Sequence, residues 1–270
     1  MNPKIIFDFI AKKNSKYDLE NVVQYNGRII RFIENPSEEL QLAAVGQNPN
    51  AIRYIKNPSE EVQMTVVEKS AVSIRFIDNP TERVQLAAVQ KNGFAIQYIE
   101  NPSEELQLLA VQYNESTIQW IKNPSEELQL FAVQQDGNLI NYIKNPTERV
   151  QLTAVGHNGF AIQYIENPSE RVQLLAVQYD ARTIQYIKNP SERVQLTAVG
   201  QNGVAIRFIG NPSEEVQLLA IKSNINAFFH IDNPTEKVQL AAIKQNGNLI
   251  LHIKNPSEQV KLASLKQKIE

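Results

Sequence analysis

The dipeptide Asn-Pro recurs at residues 35, 57, 79, 101, 123, 145, 167, 189, 211, 233 and 255, a constant step of 22 that accounts for eleven of the thirteen prolines. A period between about 20 and 50 residues marks a solenoid or propeller, whose units bury their apolar surface against their neighbours. Numbering positions 1 to 22 from the asparagine, one unit reads NPTERVQLTAVGHNGFAIQYIE over residues 145–166.

Within that unit Asn145 is a suitable helix N-cap, Pro146 fits the first helical position because its missing N–H has no partner there, and Glu148 stands at N3 to close a capping box. A first helix is therefore predicted from the Asn-Pro, with Val150, Leu152, Ala154 and Val155 spread around a cylinder flanked by repeats on both sides. A break follows at Asn158-Gly159. The glycine position is Pro49, Glu115, Ala181 and Ile225 in other units, and proline cannot take positive φ. The preceding Asn or Asp is thus read as the N-cap of a short second helix from Gly159 to Ile165, with Pro49 at its first position.

The expected fold is all-α: an α-solenoid of stacked 22-residue helical hairpins in a superhelical arc, without strands and so without a propeller. Helices packed about 8 to 10 Å apart would carry eleven layers over roughly 100 Å. Residues 1–34 read as an N-terminal cap helix (Ile5, Ile6, Phe9 and Ile10) plus a degenerate repeat, 35–254 as ten regular repeats, and 255–270 as a C-terminal capping half repeat, all in one elongated array. Ser70 replaces the asparagine cap at residues 68–73, where more mobility is expected.

A net charge of −2 gives no general attraction to nucleic acid or an anionic membrane. The absence of cysteine rules out disulfides and thiolate metal sites. The apolar run at residues 5–10 is brief and broken by Asp8, unlike a signal peptide or spanning helix. A soluble, cytoplasmic protein is expected. His157, His230 and His252 form no metal or nucleophile constellation, so no catalysis and no cofactor are expected.

Three ladders recur. Position 7 is Gln41, Gln63, Gln85, Gln107, Gln129, Gln151, Gln173, Gln195, Gln217 and Gln239, then Lys261. These amides are predicted to lie largely buried and to bond the backbone of the turns as a structural ladder. Position 20 is Phe32, Tyr54, Phe76, Tyr98, Trp120, Tyr142, Tyr164, Tyr186, Phe208, His230 and His252: either packing between repeats or a row of rings that stack on a ligand. Position 19 is Arg31, Arg53, Arg75, Gln97, Gln119, Asn141, Gln163, Gln185, Arg207, Phe229 and Leu251, with no acid in any layer. Arg beside Tyr favours interfaces. At position 5, Arg149, Arg171 and Arg193 read as a solvated face.

The consensus NPSEEVQLAAV, then QNG and AIQYI, resembles a class of bacterial and viral short α-helical repeat proteins with an LAAV-x-x-NG core. In helix-pair organisation it is similar to leucine-rich variant and HEAT-like α-solenoids. The resemblance covers about residues 35–265, implies repeat architecture and carries over no catalytic residue. The favoured function is a non-enzymatic protein-interaction scaffold, adaptor or inhibitor that binds along the second helices from Arg31 to Arg207. The alternative is single-stranded nucleic acid, one base per layer on the aromatic ladder, against which the acidic balance stands. A homodimer of two arrays is also open.

Overall fold

The computed structural model describes residues 16–267, with side chains from residue 19 onward. The expected cap helix over residues 1–12 lies outside them. Among the described residues every element is a helix and none a strand, and each layer is a pair: a ten-residue α-helix such as Glu148–His157, then a six-residue 3-10 helix such as Gly159–Tyr164. The chain falls into two compact units, Met1–Leu128 and Gln129–Glu270. Within each, first helices of adjacent layers pack side by side, and so do second helices.

The first helix begins later than the Asn-Pro suggests. Its N-cap is the Ser or Thr at position 3: Thr147 has φ −63° and ψ 159°, and its side chain accepts a hydrogen bond from Val150 N–H. Asn145 instead has φ 50°, as Asn35, Asn57, Asn123, Asn189 and Asn255 have similar positive values. Asparagine tolerates the left-handed region better than other non-glycine residues. In these layers it makes the bend into the next helix, and the hydroxyl two residues on does the capping. Glu148 therefore stands at N1, where the macrodipole still favours it.

The second cap is the one expected. Asn158 Oδ1 accepts from Phe160 N–H at 3.1 Å, and Pro49 occupies the first turn of its 3-10 helix. No glycine has positive φ. Glycine at position 15 serves close approach: a Cβ on Gly203 would stand 2.2 Å from the Ala220 carbonyl oxygen of the next layer. At Ser70 the side-chain cap bond is missing, and Ser70 Oγ instead accepts from the buried Ser73 hydroxyl at 3.1 Å. The degenerate first repeat still forms its hairpin, Lys16–Tyr25 and Gly27–Phe32, capped by Asn26.

Each core repeats three positions from either helix. Val150, Ala154 and Val155 are fully buried, as are Ala161 and, but for 1%, Ile162, with Ile165 closing the layer. Burying one such Val or Ile side chain is worth about 1.5 to 3 kcal/mol. Position 8 behaves differently. Leu152 is half-buried, and Leu86 and Leu108 are 42% and 40% exposed.

Polar bonds also step from layer to layer. The cap hydroxyls of Ser169, Ser191 and Ser213 accept from their own helix and donate to Glu148, Glu170 and Glu192 of the preceding layer, each at 2.5 Å. One hydroxyl can do both, having a donor and lone pairs. Basic residues at position 5 reach back to carboxylates at the same position 4: Arg83 to Glu60 at 3.0 Å, Lys237 to Glu214 at 3.0 Å, and Arg193 to Glu170 at 4.0 Å. Being exposed, such pairs add little individually. Thr235 and Lys237 both donate to Glu214, and these bonds lower its pKa from the ordinary Glu value.

Candidate functional site

The glutamine ladder shares one geometry. The Nε2 atoms of Gln41, Gln63, Gln85, Gln107, Gln151, Gln173, Gln195, Gln217 and Gln239 each donate to the carbonyl of the proline five residues earlier, at 2.9–3.0 Å. Only Gln63 and Gln217 are buried, and the rest of the ladder, Gln129 included, is half-buried. Gln129 is likewise engaged within the chain. The bond closes the Asn-Pro turn onto the helix that follows it. Lys261 departs from the pattern and pairs with Glu258 at 2.7 Å.

Position 19 is exposed, apart from half-buried Gln97, and most of its groups are engaged within the chain. Gln97, Gln119, Gln163 and Gln185 donate Nε2 to the carbonyls of Phe94, Ser116, Phe160 and Arg182, each three residues back, at 2.9–3.0 Å. The arginines lie over rings instead. Arg31, Arg75 and Arg207 sit 4.5–4.6 Å from the centroids of Phe32, Phe76 and Phe208, while Arg53 lies 4.4 Å from Phe76 in the next layer. Cation–π contact stabilises such placements. A carboxylate could do neither, and would face the carbonyl end of the 3-10 helix. The missing acids thus have a local cause.

Position 20 differs. Trp120 and Tyr142 are each 47% exposed, Tyr164 and Tyr186 40%, and Tyr54 36%, whereas Phe32, Phe76, Tyr98 and Phe208 are half-buried. In each unit these rings form an edge between layers. Beside them the fold makes a recurring notch. One lies between Tyr98 and Trp120, with a volume of about 450 Å³ and Glu100 and Lys122 on its walls. A second lies between Tyr164 and Tyr186, about 300 Å³, with Glu166 and Lys188. A third, about 390 Å³, is lined by Phe229, His252, Asp232 and Lys254.

These position 22 charges escaped the comparison of neighbouring layers. Their signal is an acid followed one layer later by a lysine, Glu34 and Lys56, Glu100 and Lys122, Glu166 and Lys188, Asp232 and Lys254, a pair that recurs every third layer with Asp78, Lys144 and Gly210 in the layers between. The asparagines that follow the three notch acids, Asn101, Asn167 and Asn233, are not left-handed, whereas those after the four paired lysines are.

The histidines are dispersed. His157 Nδ1 accepts from Gly137 N–H at 3.4 Å, and His252 meets Phe229 edge-on at 5.1 Å. Among the described residues no group of three or more His, Cys, Asp or Glu could hold a metal, and no helix is long and apolar enough to cross a membrane. Asp180 has its pKa lowered by hydrogen bonding to Arg182, at 2.6 Å, an exposed structural pair. Compared with family models, curated proteins and solved structures, the chain gives no match.

Proposed function

We propose that the chain is a non-enzymatic protein-binding array that holds its partner along the edge of its second helices. The observation that carries this reading is the repeated notch: two walls of ring or polar side chain, a carboxylate and an ammonium, in three layers of like geometry. Among the described residues none of Glu100, Lys122, Glu166, Lys188, Asp232 and Lys254 takes part in an ion pair. Exposed rings flanked by polar groups suit protein anchors. The position 19 groups hold the strip in shape, and positions 20 and 22 meet the partner. A carboxylate in each notch weighs against a strip that follows a phosphate backbone.

The test is affinity capture with the full chain and with a Glu100→Lys/Glu166→Lys/Asp232→Lys variant, whose substituted side chains are exposed. Proteins retained by the parent chain should be lost from the variant while the melting temperature stays unchanged. Identical retention by both would contradict the proposal, and so would binding of RNA or DNA oligomers that displaces the retained proteins.

A further inference from the structure

The first helices carry a second surface, independent of the ring edge. Between the helices Glu82–Lys91 and Glu104–Tyr113 runs a groove of about 1040 Å³. Its apolar wall includes Leu86, 42% exposed, and half-buried Leu109, and Leu108 nearby is 40% exposed. Its rim holds Glu82, Glu104 and Glu105, none with an ion-pair partner among the described residues, while Arg83 is taken up by Glu60 at 3.0 Å. The unit Gln129–Glu270 has a matching groove of about 470 Å³ with Leu152, Leu174 and Leu175, but there Arg171 and Arg193 join Glu170 at the rim. Leucines at repeat positions 8 and 9 thus line both grooves, beneath rims of different charge. A sign that changes while the apolar wall is kept points to selection among partners by charge.

We infer that the groove at Leu86 and Leu109 binds a basic amphipathic helix, its leucine-type face on the leucines and its lysines or arginines against Glu82, Glu104 and Glu105. A groove between neighbouring helices with leucines in its wall and charges on its rim suits a partner helix that presents side chains at i, i+3, i+4 and i+7.

The test uses the full chain and two labelled synthetic helical peptides, one of Leu and Lys and one of the same pattern with Glu for Lys, followed by fluorescence anisotropy at low salt. The Leu/Lys peptide should bind, and the Leu/Glu peptide should bind at least about tenfold more weakly, a 1.4 kcal/mol difference. Glu82→Gln/Glu104→Gln/Glu105→Gln and, separately, Leu86→Asn should each weaken the Leu/Lys peptide by a similar factor, with circular dichroism melts unchanged. A Tyr164→Ala/Tyr186→Ala variant should leave it alone, which separates this surface from the ring edge. Equal affinity for both peptides would overturn the inference. So would loss of binding in the Gln variant with none in the Asn variant, since that is charge attraction without a groove.

Discussion

Gln151 Nε2 lies 3.0 Å from the carbonyl oxygen of Pro146, and this bond, repeated down the chain, ties each Asn-Pro turn to its helix. Gln151→Leu removes the only donor that the half-buried side chain offers this carbonyl. A loss of about 1 to 2 kcal/mol is expected in urea denaturation. An unchanged midpoint would mean that the turn holds without it.

The two kinds of glycine should respond in opposite directions. Gly203→Ala drives a Cβ to 2.2 Å from the Ala220 carbonyl oxygen, and a cost of about 1 to 3 kcal/mol is expected from overpacking. Gly46 lies inside the α-helix Glu38–Gln47 with nothing within 4 Å of a new Cβ. Gly46→Ala should therefore stabilise by about 0.5 to 1 kcal/mol. Thermal melts of the pair give the signs.

Asn145 and Thr147 should separate by their replacements. Asn145→Gly should be tolerated, because φ 50° suits glycine, whereas Asn145→Ala should cost about 1 to 2 kcal/mol. Thr147→Ala should cost about 1 kcal/mol through the lost cap. If Asn145→Gly were the most damaging of the three, the capping assignment would be wrong.

Gln163→Glu should destabilise by about 0.5 to 1.5 kcal/mol, since the carboxylate cannot donate to the Phe160 carbonyl. Gln163→Lys should be milder, retaining a donor. Chemical denaturation of both variants checks the order.

Glu214 sets a pH dependence. Its pKa is lowered in the fold by Thr235 and Lys237, so its contribution is complete above the pKa of an unfolded glutamate and disappears as pH falls through the lower folded value. Glu214→Gln should melt below the parent chain at neutral pH, and the gap should close in acid. A gap that stayed constant would assign the effect to something other than this ionisation.

How much of this was legible follows from where each cause lies. Asn158 and Pro49 fix the second helix through bonds within a few residues, so its cap and start can be read from sequence. Sequence alone places the first helix too early because Asn145 and Thr147 are both good caps two residues apart and Pro146 imitates a first helical residue. What decides between them is the hydroxyl at position 3, which caps the helix whether the asparagine before it is left-handed, as at Asn145, or not, as at Asn101. The acid-free position 19 was visible, but its reason, the carbonyl of Phe160 or a ring such as Phe76, appears only when the short helix is wound. The notch charges of Glu100 and Lys122 emerge only across three layers, and the outward turn of Leu86 depends on which helix faces close over the core.

The most direct measurement uses Trp120, the single tryptophan, which stands in a notch and is 47% exposed. In the free chain its emission should be red-shifted and readily quenched by acrylamide. In the complex with a captured partner it should shift to the blue and lose most of that quenching. Emission and quenching that stay the same on complex formation would place the partner elsewhere and contradict the ring edge as the binding surface.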